Sequence, residues 1–292
     1  MRMKNKEALA GYMFALPWIL GFLFFTLIPI TQSIIYSFMD YNILQPPKWV
    51  GFDNYRNMVN DRIFWKALSN TLYYVAFSVP LTMLVGLVIA MLLNNDISGI
   101  AVYRTLYYMP SIVPVVASTI LWLWIFNPNF GILTTIVRMF GVKSPAWLAD
   151  PQWSKRSLVI MALWSAGRGM IIYVAGLKNI SRVYYEAAEI DGASRLKRLV
   201  WITIPLLTPT LFFQLVMGII DSFQVFTQAF IMTAGGPNDS TLFYVLYLYN
   251  NAFSFWKMGY ASSLAWVLLI IIMVITSINF IVSKYWVQYD QS

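Results

Sequence analysis

The sequence predicts an all-α integral membrane fold: six transmembrane helices, with a polar helix–turn–helix between spans 4 and 5. Composition is the first observation. Of 292 residues, 59% are apolar and only 11% charged, against about 25% charged in a soluble domain, so lipid must serve as solvent. The second is a set of windows without Lys, Arg, Asp or Glu, at 8–39, 67–95, 105–137, 199–220 and 258–283. Each exceeds the ~18 residues of a transmembrane candidate. A further window, 157–177, is interrupted only by Arg168. In hydrocarbon the backbone must pair with itself, so runs of this length are helices.

Residues 1–292 read as one membrane domain, with spans at about 12–36, 68–93, 105–126, 157–177, 203–228 and 259–283. The first run is longer than the ~7–15-residue core of a signal peptide and reads as a retained span. Pro80 in span 2, with Pro110 and Pro114 in span 3, are candidate kinks; the backbone groups they free need neighbours or water. The joints carry turn signals at Pro46-Pro47, Asn127-Pro128, Ser144-Pro145 and Gly235-Gly236-Pro237. The Tyr-rich stretch 240–256 is uncharged but short and holds Asn250-Asn251, so it reads as an interfacial helix, with a seventh span as the alternative. Six spans put ten Lys and Arg on the side of the termini and nine on the other. The density of Arg2, Lys4, Lys6 and of the 178–202 loop makes the termini's side cytoplasmic.

Cysteine and histidine are both absent. That excludes disulfides, a histidine general base, a Ser-His-Asp triad and the commonest metal ligand. No phosphate-cradling G-x-x-x-x-G-K-[ST] occurs, so nucleotide-driven work needs another polypeptide. The net charge of +8 is spread over the loops, which fits lipid headgroups rather than nucleic acid.

With 182–194 taken as helical, Val183, Ala187, Ile190 and Ser194 share a narrow, small stripe. Gly192 stands where a helix end needs positive φ, and Ser194 is placed to cap the next segment, which reaches Pro205. Such a stripe suits close approach by another surface; an amphipathic loop resting on headgroups is the alternative.

Polar groups at membrane depth are the other candidates. Arg168, between Gly167 and Gly169, sits near the middle of span 4. It is a pore contact for hydroxyls or a carboxylate, or else a structural, snorkelling Arg. Asp221, Gln224 and Gln228 form a polar stripe toward the outer end of span 5, too far from Arg168 along the bundle for a direct salt bridge. Among Trp122, Trp124, Trp164 and Trp266, lipid or interface anchoring competes with stacking on a sugar face.

Glu186-Ala187-Ala188, Gly192, Ile202, Ile204 and Pro205 resemble the signature loop of permease subunits of binding-protein-dependent ABC importers. The phrase from Tyr185 to Ser194 is similar to the carbohydrate, maltose-type branch. So are Val50-Gly51-Phe52-Asp53-Asn54-Tyr55, Asn70-Thr71, Trp147-Leu148-Ala149-Asp150-Pro151, Ala175-Gly176-Leu177, and Thr233-Ala234-Gly235-Gly236-Pro237 with Thr241. Ile204 stands where the family usually has Leu, and Leu199 where it commonly has Phe.

The resemblance implies that the hairpin is a coupling helix seated in an ATPase cleft. Glu186, Ala187, Ala188, Asp191 and Gly192 would be its contact residues; Arg168, Trp164, Asp221, Gln224 and Gln228 are the candidate solute path as polar and aromatic groups at membrane depth, not through the resemblance. It implies a second permease, two ATPase subunits that bind ATP and Mg, an extracytoplasmic solute-binding protein, and no cofactor, metal or nucleic acid on this chain. It places the chain in a bacterial or archaeal inner membrane with both termini cytoplasmic, importing a sugar or oligosaccharide; Arg168, where related permeases tend to have an uncharged residue, adds an acidic sugar as an alternative. The rival readings are an ABC permease for a non-sugar solute, a secondary transporter or channel, and a membrane enzyme.

Overall fold

The computed structural model describes residues 2–94 and 98–288, with side chains from residue 10. The basic start at Arg2, Lys4 and Lys6 therefore lies outside the described side chains. The chain is nearly all helix. In order it forms α1 (Ala10–Ser37), a two-stranded antiparallel pair β1 (Met39–Asp40) and β2 (Lys48–Trp49), α2 (Asp53–Asn60), α3 (Arg62–Leu93), α4 (Ile100–Ile112) and α5 (Val115–Ile125). It continues with α6 (Ile132–Met139), α7 (Pro151–Asn179), α8 (Arg182–Ile190), α9 (Arg195–Phe223), α10 (Thr227–Met232), α11 (Tyr244–Tyr249) and α12 (Met258–Ser283).

Among the described residues, α1, α3, α7, α9 and α12 are each long and apolar enough to cross a bilayer, and the pair α4–α5 makes a sixth crossing if taken as one span. The span expected at 105–126, with Pro110 and Pro114 as candidate kinks, is broken: α4 and α5 meet at 96°. Pro114 is the cause, since it disfavours helical backbone at Val113, which turns extended at φ −62, ψ 131. Pro80 leaves α3 unbroken. Span 4 begins earlier than expected, because the Asp150 side chain caps α7 by accepting from Gln152 N–H at 2.8 Å and Pro151 follows it. Wide turns at Leu23–Leu27 and Leu199–Thr203 directly precede the turns holding Pro29 and Pro205. The widened backbone makes room for a ring that would strike the carbonyl four residues back.

The chain divides into two compact units. One comprises residues 1–61 and 248–269. There, the Asn54 side-chain amide donates to the carbonyls of Ser37 and Met39, both at 2.9 Å, and the Tyr260 hydroxyl donates to Asp61 at 3.0 Å. A ring cluster of Phe38, Trp49, Phe52 and Tyr55 packs over the strand pair.

The other unit, residues 62–247 and 270–292, carries the larger core. Ala90 and Leu93 of α3, Met170, Tyr173, Val174 and Leu177 of α7, and Leu207 of α9 meet in one buried cluster. Glycines let these helices approach. A Cβ on Gly86 would stand 3.1 Å from the Ala166 carbonyl, one on Gly176 would stand 2.6 Å from Thr210 Oγ1, and one on Gly167 would collide with the carbonyl of Tyr107. Between lipid-soluble helices, close backbone approach replaces hydrophobic drive as the source of packing energy.

The 240–256 stretch is not among the helices long enough to cross a bilayer; it folds as α11 followed by a wide turn at Asn250–Ser254. Its first residues are buried: Thr241, Phe243 and Tyr244 are wholly inaccessible. Burial pushes the Tyr244 phenol well above its ordinary range, so it remains neutral. A polar latch holds this segment. The Asn70 side-chain amide donates to the carbonyls of Asp239 at 2.6 Å and Leu242 at 3.1 Å and accepts from Lys155 at 3.1 Å. Ser154 and Ser240 share a 2.7 Å hydrogen bond, and the Tyr244 N–H donates to Thr71 at 2.8 Å. Asn70-Thr71 and the Thr233–Thr241 segment, separate fragments in the sequence, thus meet in one place.

Candidate functional site

Two features of the larger unit bear on function: an open cavity and the exposed hairpin. The cavity has a volume of about 630 Å³, within the range of small-molecule sites. It lies where helices are interrupted. The α4–α5 break contributes Ser111, Val113 and Ser118; α3 contributes Ser78 and Thr82; α9 contributes Gln214 and Asp221. In α7 a tightened turn at Leu163–Ser165 directs Trp164 and Ser165 to the same space. Irregular backbone at membrane depth is tolerated where it is buried in protein or lines a wet cavity, and discontinuous helices of this kind mark transport sites.

All five expected pathway residues, Trp164, Arg168, Asp221, Gln224 and Gln228, line this cavity. Asp221, Gln224 and Gln228 do not share one helix as expected. α9 stops at Phe223, Gln224 caps it with its side chain donating to the Ile220 carbonyl at 3.2 Å, and Gln228 belongs to α10. The stripe of Asp221, Gln224 and Gln228 is therefore a corner between two helices. Among the described residues Arg168 makes no ion pair or hydrogen bond, with Asp221 or any other group. Trp164 stands edge-to-face on buried Trp122 at 5.9 Å, while Trp124 is exposed. Sequence reasoning missed Gln214, Ser78, Thr82, Ser111 and Ser118. Single hydroxyls and amides inside apolar helices carry no periodic signal that marks them as pore-lining.

The hairpin is built from local bonds. α8 ends at Ile190, not at 194, because Gly192 adopts φ +74. Its N–H donates to the Glu189 carbonyl at 3.0 Å, and Ala193 N–H reaches back to the Ala188 carbonyl at 2.8 Å. These are the paired bonds of a Schellman stop. Ser194 then starts the next helix, accepting from Lys197 N–H at 3.4 Å. That helix is α9 itself, continuous from Arg195 to Phe223, so the hairpin and a cavity wall are one rod. Tyr185 and Thr203 share a 3.0 Å hydrogen bond that ties α8 to it. The Arg198–Glu189 pair at 3.4 Å is exposed on the Glu side and contributes little.

No residue of α8 is buried. Glu186, Ala187, Asp191 and Gly192 are exposed, and Ala188 is half-buried. Ile190 is 87% exposed, Trp201 78% and Leu196 70%, an apolar set that the chain itself leaves uncovered. A Cβ on Gly192 would meet nothing within 4 Å, so any crowding there would come from another chain.

Residues 82–288 match the family described as binding-protein-dependent transport system inner membrane component. Over 291 residues the chain is 45% identical to the probable ABC transporter permease protein YesP of Bacillus subtilis (strain 168), covering 98% of this chain and 94% of that one. It is 33% identical to the lactose transport system permease protein LacF of Rhizobium radiobacter, covering 94% of each. Among solved structures, a chain of the bacterial alginate ABC transporter, in complex with alginate pentasaccharide-bound periplasmic protein, superposes with a TM-score of 0.84. It has 21% identity and covers 98% of this chain and 97% of that one; the likeness shows a shared fold.

Proposed function

The chain belongs to the binding-protein-dependent inner-membrane transport components, and from that premise we propose that it forms half of an ATP-driven import pathway for a sugar or oligosaccharide. As a multi-pass membrane transport component and not an enzyme, it leaves nucleotide hydrolysis to its partners. The observation that carries the proposal is the continuity of α9, which runs from the exposed hairpin at Arg195 to the cavity wall at Asp221. A partner that grips the hairpin moves the wall.

In this reading two ATPase subunits supply ATP and Mg, and one of them seats Glu186, Ala187, Ala188, Asp191 and Gly192. A homologous permease completes the pathway, and an extracytoplasmic binding protein delivers the solute. Both termini and the hairpin face the cytoplasm. The sugar assignment draws on relatives such as the lactose permease and on a cavity rich in hydroxyls and amides, groups that match the hydroxyls of a saccharide. A secondary transporter gives the exposed hairpin no task, and a membrane enzyme gives the cavity no acid–base pair.

The test is reconstitution. The chain, co-purified with a second permease and two ATPase copies, should take up oligosaccharide into vesicles only with ATP and loaded binding protein. Uptake by this chain alone down a gradient contradicts the proposal.

A further inference from the structure

We propose that the cavity accepts a saccharide carrying a single carboxylate, with Arg168 as its anion contact. The inference rests on the import reading above and sharpens it to a substrate class. Arg168 is the one cation among the cavity-lining residues, and it has no ionic or hydrogen-bonded partner among the described residues. It cannot retreat to an interface. Eleven residues separate it from the end of α7 at Asn179, about 16 Å along the axis, beyond the reach of its side chain. Nor can the backbone turn it away, because Gly167 is wedged against the Tyr107 carbonyl and Met170 is wholly buried. Arg168 is exposed to the cavity and unpaired there, so its planar fork is free to meet a carboxylate with two parallel hydrogen bonds.

The surroundings specify the remainder of the ligand. Gly169 lets the amide of Gln214 lie beside this turn; a Cβ there would be 2.5 Å from Gln214 Nε2. Trp164, four residues before Arg168, presents a ring on the same face of α7, suited to the apolar face of a pyranose. Asp221, the one carboxylate of the lining, makes no pair with Arg168. It would accept from sugar hydroxyls and repel a second acid group. The layout therefore selects one acidic residue at the Arg168 end and a neutral one at the Asp221 end.

The test uses the complete complex in proteoliposomes, loaded with binding protein and a pool of partial hydrolysates of pectin, glucuronoxylan and starch. The imported species are identified by mass. Singly acidic oligosaccharides should dominate the ATP-dependent uptake. Arg168→Gln should lower that uptake, per complex verified by size exclusion, by about tenfold or more, and Arg168→Lys should restore part of it. Import of neutral or multiply acidic species with equal rate, or an unchanged singly acidic uptake in Arg168→Gln, overturns the assignment while leaving the importer intact. No ATP-dependent uptake of any member of the pool counts against saccharide import itself, and the inference falls with it.

Discussion

α7 and α8 are adjacent in the chain and built on opposite plans. α7 carries Gly167 and Gly176 against neighbouring helices and buries Met170 and Tyr173 completely. α8 buries nothing and owes its shape to a Schellman stop and to its fusion to α9, to which the Tyr185–Thr203 bond ties it. The first is a part packed against α3, α4 and α9 so that another face can present Trp164 and Arg168 to a cavity. The second is a part held from one side so that the other can be taken by a partner. Substitutions should follow that contrast: in α7 they should damage assembly, and in α8 they should spare assembly and damage coupling.

The largest effect is expected at Gly167. Gly167→Leu places a side chain on the Tyr107 carbonyl, an overpacking that costs at least ~1–3 kcal/mol and separates α4 from α7. The assembled complex should be lost, as read by size exclusion after solubilisation. A normal yield would show that these helices are free to part. Next is Gly192→Leu. Open space surrounds Gly192, so the cost within the chain is the left-handed φ of +74 alone, about 1–2 kcal/mol. The complex should assemble, yet its ATPase should no longer respond to loaded binding protein. Full stimulation would mean that nothing closes on this turn.

Asn70 tests the comparison from the polar latch. Asn70→Ala removes three hydrogen bonds; the Asp239 carbonyl keeps the Leu242 N–H and Lys155 keeps the Tyr73 ring, so the main loss is the buried bond to the Leu242 carbonyl, about 1–3 kcal/mol. The expected result is a lowered unfolding temperature and faster protease cleavage within 233–242; cleavage at the wild-type rate would show that the latch holds nothing. The smallest effect belongs to the hairpin's own polar contacts. Ser194→Ala should cost no more than ~1 kcal/mol, since its capping bond is long at 3.4 Å, and Arg198→Gln should be nearly neutral to thermal stability. A large drop in either would mean that α8 depends on these bonds more than on its fusion to α9.

Much of this was legible in the sequence because membrane burial leaves a coarse signal. The uncharged windows, with the one interrupted at Arg168, fall on helices long and apolar enough to cross a bilayer and on the bent α4–α5 pair, and Gly192 marks the turn of the hairpin. What the sequence obscured was geometry that depends on single residues. Pro80 and Pro114 look alike in sequence, yet Pro80 is absorbed in α3 and Pro114 breaks the α4–α5 pair, because only Pro114 stands where the following helix packs in another direction. Asp221, Gln224 and Gln228 have helical spacing, yet the helix stops at Phe223. They still line one cavity because the turn, not the helix, brings them together. The Asn70 latch joins residues some 170 positions apart, a pairing that no local pattern announces.

The central claim is that the hairpin is the surface through which a nucleotide-driven partner moves the cavity wall. The chain has no cysteine, so Ala187→Cys introduces a single thiol on the exposed face of α8. Its reaction with a membrane-impermeant maleimide can be followed in sealed vesicles of either orientation, with and without the ATPase subunits. Labelling only from the cytoplasmic side, and protection when the ATPase is bound, is the predicted result. Labelling from the outside, or equal labelling with the ATPase in place, would contradict it.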